Sequence, residues 1–283
     1  MTDGERARLI SLAYGYLGSL ADSEDILQEA LLRYQAADHS AILNHEAWLT
    51  TVVTRLAIDK LRSAQHRREV YPGEWLPEPV FGAPSPEQAA ITRSRLSVGL
   101  LYLLEKLKPE QRVVFVLREV FEYSWHEIAA IIGKSEVACR QLMVRARAAL
   151  DRAKHAPAVQ TVTAEALIGR FINALQHGDE KELLGILAPD AVLVGDGGGK
   201  VQAILNPVYG ADRIVRFFMG INRKHRMETH PAVVNSAPGA INRRNGQLHF
   251  VISIEVRDDR IHAIYAVSNP DKLRAGATAL TSR

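Results

Sequence analysis

A single cysteine, Cys139, among 283 residues leaves the chain without an internal disulfide and points to a reducing, cytoplasmic setting. Long apolar runs are lacking too. Stretches such as Val113–Leu117 and Ala129–Ile132 fall far short of the ~20 residues that a membrane span needs, so no membrane partner is expected. The first residues, Met1-Thr2-Asp3-Gly4-Glu5, carry neither the cationic nor the apolar stretch of a secretory signal. The ten histidines show no close metal-ligand spacing, and neither a metal nor a cofactor is expected. Apolar residues make up 47% and charged residues 24%, values of a soluble globular chain rather than a disordered one. The length exceeds one ordinary domain and suits about two.

A net charge of +3 is only mildly basic, but its distribution is uneven. Arg55, Lys60, Arg62, Arg67 and Arg68 stand against Asp59 alone, and Lys134, Arg140, Arg145, Arg147, Arg152 and Lys154 against Glu136 and Asp151. Between these blocks lie Glu69, Glu74, Glu78 and Glu87, with no cation before Arg93. Two basic blocks divided by an acidic spacer suit a protein that touches phosphates at two places.

Apolar residues at three- and four-residue spacing predict helices within residues 5–67, with Asp22 capping the second and Asn44 the third. The third helix is expected to bury Trp48, Val52, Leu56 and Leu61. Pro72, Pro77, Pro79, Pro84 and Pro86 then exclude helix interior and mark a linker. A second helical block runs from about Pro86 to Lys154. Within it Ser124 and Glu127 form a capping box, Gly133 suits a left-handed terminus, and Ser135 caps the next helix. That helix is expected to turn Val137, Ala138 and Leu142 inward, with Arg140, Arg145 and Arg147 outside. Helix, glycine turn and cationic helix form a helix-turn-helix signature. Beyond Pro157 helices at Thr163–His177 and Glu180–Leu187, the second capped by Asp179, then a strand at Val192–Val194 and a helix at Ala211–Asn222 precede alternating strands near 232–235, 239–242, 248–257 and 260–267, with Asn245-Gly246 and Asp258-Asp259 as turns. This is an α+β pattern in which a curved sheet wraps a helix and commonly encloses a pocket.

Asp22-Ser23-Glu24-Asp25-Ile26-Leu27-Gln28-Glu29, followed by Trp48-Leu49 through Asp59-Lys60-Leu61-Arg62, resembles region 2 of bacterial extracytoplasmic-function RNA polymerase sigma factors. Leu107–Leu150, with Pro109, Glu110, Ser124, Glu127, Leu142, Arg145 and Arg147, resembles their region 4. Trp75-Leu76-Pro77-Glu78-Pro79, Asp196-Gly197-Gly198-Gly199-Lys200 and Asn269-Pro270-Asp271-Lys272-Leu273 narrow the resemblance to the sigma-J type, which carries a SnoaL-like C-terminal extension. The resemblance implies a multidomain chain: two all-α sigma domains, a region 2 bundle at 1–68 and a region 4 helix-turn-helix at 86–155, joined by a linker at 69–85. A SnoaL-like α+β cone at 156–273 and a tail at 274–283 complete it. A linker of about 17 residues could reach roughly 55–60 Å when extended, the span of about 16–17 base pairs.

The implied function is to bind core RNA polymerase, as one copy of the chain, and to recognise promoter DNA at its −35 and −10 elements. The −35 set is Lys134, Glu136, Arg140, Gln141, Arg145 and Arg147, with Arg140 and Arg145 leading. The −10 set is Asn44, Arg55, Lys60, Arg62, Arg67 and Arg68, which would follow the melted strand. Trp48 reads as core, and Asp59 as the partner of a nearby arginine. Asp22, Glu24, Asp25, Gln28 and Glu29 would dock on the polymerase. The extension is expected to regulate the chain through the three short motifs, with Trp75 as anchor; a small-molecule ligand in the cone is left open. The alternative is a SnoaL-type enzyme fused to a DNA-binding module, for which Asp196 and Asp212, near His225 and His230, are the acid–base candidates. No catalytic residue is expected on the first reading.

Overall fold

The computed structural model describes residues 1–68, 70–81, 89–91, 94, 96–152, 162–224 and 228–277, the side chains of 64–68, 152, 162 and 277 excepted. The chain divides into two compact units: residues 1–70, 84–96 and 101–156 form the first, and residues 71–83, 97–100 and 157–283 the second.

The first unit is helical. α1 (Asp3–Leu17) opens on a Thr2–Glu5 capping box, and α2 (Leu20–Gln35) follows. Its cap is Ser19, whose hydroxyl accepts from the Asp22 amide at 3.2 Å, so the expected cap, Asp22, stands inside the first turn instead. Asn44 does cap α3 (His45–Arg68), accepting from the Ala47 amide at 3.0 Å. The buried line of α3 is Leu49, Val53, Ala57 and Leu61, while Trp48, Val52 and Leu56 are only half-buried. α1 and α2 pack on this helix, and so do α5 (Pro109–Phe115) and α6 (Trp125–Ile132). Neighbours on two sides bury a wider arc than a single stripe predicts.

α4 (Val98–Leu104), α5 and a π-turn at Val116–Val120 lead to α6 and α7 (Glu136–Arg152). The capping box at Ser124 and Glu127 is present. α6 stops at Gly133, whose φ of 68° is a left-handed geometry that a side chain would strain. The Ser135 hydroxyl then accepts from the Ala138 amide at 3.2 Å. The two helical blocks are packed together: Arg8 of α1 donates to the Tyr123 hydroxyl at 2.6 Å and to Thr50 at 3.0 Å, and pairs with Glu46 at 2.9 Å.

The second unit is α+β, as the pattern of helices then strands implies. α8 (Val162–His177), α9 (Glu180–Ile186) and α10 (Ala211–Lys224) accompany β1 (Leu187–Asp196), β2 (Val208–Tyr209), β3 (Glu228–Val234), β4 (Ala237–Arg244), β5 (Gln247–Arg257) and β6 (Arg260–Val267). The sheet order is β2-β1-β6-β5-β4-β3. β1 and β6 run parallel and the other pairs antiparallel. Register shifts in β1, β4 and β5 bend the strands. The core between sheet and helices holds Phe171, Ile214, Phe218, Ile252, Ile254 and Ile264. α11 (Pro270–Ala277) closes the described chain.

Candidate functional site

Two groups of functional residues emerge, one in each unit. In the first unit, α7 buries Cys139, Met143, Ala146 and Leu150 and exposes Arg140, Gln141, Arg145 and Arg147. Arg140 lies 5.4 Å over the Trp125 ring, with Arg118 at 5.1 Å from the same ring, and it bonds Glu136 at 3.0 Å. Stacking and ion pairing together hold that guanidinium in a defined place. Arg147 pairs with Glu119 at 2.7 Å. Burial raises the Cys139 thiol above its usual range, which leaves it a packing residue rather than a reactive one. Val137, expected inside, is 62% exposed.

The cations of α3 are held in a different way. Lys60 pairs with Asp22 at 2.6 Å and Asp25 at 3.6 Å, within one helical bundle. Arg62 bonds Asp59 at 3.4 Å and Glu110 at 3.1 Å, and Lys134 approaches the other oxygen of Glu110 at 3.4 Å. Arg55 is exposed and its guanidinium lies beside the Gly133 turn. One carboxylate, Glu110, thus gathers a cation from each of the two basic blocks. Asn44 spends its side chain on capping α3. The side chains of Arg67 and Arg68 lie outside the described residues. Glu24, Asp25, Gln28 and Glu29 form an exposed edge of α2, with Glu29 bonded to Arg33 at 2.8 Å.

In the second unit the three short motifs meet at Asp196. This carboxylate is buried and accepts from four donors. Tyr71 Oη at 2.6 Å and the Gly198 amide at 3.0 Å reach Oδ1; the Leu76 amide at 2.8 Å and Lys272 Nζ at 2.6 Å reach Oδ2. Lys272 also donates to the Leu76 carbonyl and lies 4.0 Å over the Trp75 ring. Asn269 donates to the Tyr71 hydroxyl at 3.0 Å. Burial first, and then the bond to Asp196, push the Tyr71 hydroxyl upward, so it keeps its proton and donates it to Asp196 while its oxygen accepts from Asn269. Gly198 has a φ of 63°, and a Cβ there would fall 2.2 Å from the Asn269 amide nitrogen. Lys200 reaches Asp271 on the rim. Leu76, Pro77 and Pro79 are buried and Trp75 and Glu78 half-buried.

Further along, Val80 and Asn235 exchange bonds: the Val80 amide reaches Asn235 Oδ1 at 3.0 Å, and the Asn235 amide the Val80 carbonyl at 2.7 Å. Phe81 bridges Val234. Residues 71–81 therefore lie as an extended strap on the second unit, not as a free tether. Proline excludes helix but not this extended docking.

Asp212 is exposed on α10 and lines a depression of about 500 Å³ with Asp190, Tyr209, Arg213 and Arg216. Asp196 does not line it, so the two candidate acids do not share that depression. His225 lies outside the described residues, and His230 is exposed on β3. Among the described residues no three His, Cys, Asp or Glu side chains gather to hold a metal ion, and no helix is long and apolar enough to cross a membrane. Sequence reasoning missed Tyr71, Asn235, Trp125 and the bridging role of Glu110. An aromatic beside the first linker proline was a signal for Tyr71; nothing local marks Asn235.

Comparison with known proteins agrees with this arrangement. Residues 3–67 match the family model for sigma-70 region 2, and residues 97–150 that for sigma-70 region 4. The ECF RNA polymerase sigma factor SigJ of Mycobacterium tuberculosis is 38% identical over 94% of this chain and 90% of its own length. A probable ECF sigma factor, SigI, of the same organism is 31% identical over 95% and 93%. The crystal structure of M. tuberculosis SigJ superposes with a TM-score of 0.81 at 34% identity, covering 96% of this chain and 97% of that one. Both helical blocks and the α+β unit behind them thus recur in one order in a relative matched nearly end to end. The chain belongs to the extracytoplasmic-function RNA polymerase sigma factors, which bind core RNA polymerase and direct it to promoters to initiate transcription.

Proposed function

We propose that the C-terminal α+β unit regulates this sigma factor in cis, by holding the strap between the two helical blocks. The observation that carries the reading is the buried Asp196–Lys272 pair, which also bonds Tyr71 and Leu76 of that strap, beside the local Gly198 amide. The strap lies between the matched sigma regions, so fixing it limits how far they can separate. Tethering gives the contact a high effective concentration without a large interface. In the same reading α7 and the turn before it meet the −35 element through Lys134, Glu136, Arg140, Gln141, Arg145 and Arg147. Arg55, Lys60, Arg62, Arg67 and Arg68 follow the −10 strand, with Asn44 setting the start of α3. The exposed edge of α2 docks on the polymerase. The division into 1–68, 69–85, 86–155, 156–273 and 274–283 belongs to this proposal, and nothing in it requires a small-molecule ligand.

The enzymatic alternative asks for a carboxylate that exchanges protons with substrate. Four donors on Asp196 count against it there, and exposure counts against it at Asp212. The test is run-off transcription with core polymerase, comparing wild type, Asp196→Ala and Asp212→Ala. Asp196→Ala is expected to change transcript yield severalfold while Asp212→Ala leaves it unchanged. Equal yields from all three would overturn regulation through the strap.

A further inference from the structure

The outward face of α7 has a feature that its charges do not account for. Val137 is 62% exposed and Val144 67% exposed. At 100° per residue, the step of seven from one to the other returns to nearly the same direction. Gln141 and Ala148, both exposed, share that strip, and it lies roughly opposite the buried line of Cys139, Met143, Ala146 and Leu150. The helix thus presents an apolar centre, with Arg140 and Arg147 along one side and Arg145 along the other.

Single exposed apolar residues are ordinary. Two β-branched residues stacked on the centre of an exposed helix are less so, because valine is a poorer helix former than alanine and neither gains burial here. The rim selects the occupant. Arginines on both sides, with Lys134 just ahead of the helix, suit a polyanion better than an apolar protein partner. Arg140 is already set in place on Trp125. Thymine is the base that offers a methyl group in the major groove, where an apolar side chain can meet it. Residues in the first turn of the second helix of such a motif are those that reach base edges, and Val137 stands in that turn. Val144 lies ~10 Å farther along the axis, about three base steps away.

We infer that Val137 is a specificity determinant of the −35 contact and packs on the 5-methyl group of a thymine, beside the hydrogen bonds made by Arg140 and Gln141. This rests on the reading of α7 as the −35 reader. Alanine keeps the helix and removes the γ-methyls, and Val137→Thr restores one of them. A randomised-duplex selection with wild-type holoenzyme defines the −35 element. Each thymine in it is then replaced by uracil, and holoenzyme affinity is measured for wild type, Val137→Ala and Val137→Thr. One replacement is expected to weaken wild type about 3- to 10-fold, to leave Val137→Ala nearly unaffected, and to affect Val137→Thr to an intermediate degree. A uracil profile identical in wild type and Val137→Ala overturns the assignment. So does a loss of holoenzyme assembly in Val137→Ala with no dependence on the methyl group, which would make the strip a protein contact. If the selection yields no −35 preference at all, the reading of α7 fails and the inference falls with it.

Discussion

Glu110 in the first unit and Asp196 in the second perform the same elementary act: each carboxylate gathers groups from segments far apart in the sequence. Their surroundings separate them. Around Glu110 the side chains are 31% exposed for the glutamate, 57% for Arg62 and 37% for Lys134. Around Asp196 they are 0% for the aspartate and 8% for Lys272. A solvated pair is screened by salt and worth little, so the Glu110 bridge can open and close at small cost. A buried pair, with its other lone pairs satisfied by Tyr71, Leu76 and Gly198, costs much more to break than to keep. The same chemistry gives a weak catch in one unit and a structural clasp in the other.

The largest expected effect comes from Lys272→Ala. It leaves Asp196 buried without its countercharge, and unfolding by urea or heat should show a loss of about 3–5 kcal/mol. A loss under ~1 kcal/mol would mean that water replaces the ammonium and that the contrast drawn here is false.

Glu110→Gln should cost no more than ~1 kcal/mol of stability. It frees Lys134 and leaves Arg62 with Asp59 alone, so duplex affinity at low salt should rise about two- to fivefold and the gain should shrink as salt is raised. Unchanged affinity would show that the bridge does not compete with DNA.

The smallest effect belongs to the rim of the clasp. The bond from Lys200 and the nearby Arg274 hold the Asp271 carboxyl below its usual range. Its contribution is therefore present above the ordinary carboxylate pKa and lost as pH falls through the lower folded value. Thermal midpoints of wild type and Asp271→Asn should differ at neutral pH and converge in acid. A constant difference would assign the effect to the Asp271 backbone and cap rather than to charge.

The parts legible in the sequence were those decided by neighbours along the chain. Ser124 with Glu127, Ser135, Asn44 and Asp179 all cap as their spacing implies, and Gly133 ends its helix. The parts misread depend on distant neighbours. Val137 looked inward because apolar residues usually face a core, and only the packing of α7 shows which line it follows. The stripe of α3 moved by one residue because helices cover it on two sides. The parallel pairing of β1 with β6, which sets Leu193 beside Ile264, has no turn to announce it. Residues 70–81 are non-helical, as the prolines imply, but proline content says nothing about the surface an extended segment lies on. Asp196 could be singled out only as part of a motif or as an acid–base candidate, since three of its four donors come from Tyr71, Leu76 and Lys272, far away in the chain.

Both halves of the clasp belong to one polypeptide, so its occupancy is a first-order property of each molecule, indifferent to copy number. A separate inhibitor must be matched in dose to its target and yields a threshold when the target outnumbers it. Under the regulation in cis proposed above there is no such titration point. The factor's output should scale smoothly with the amount synthesised, and regulation of its own gene would translate directly into regulation of its promoters.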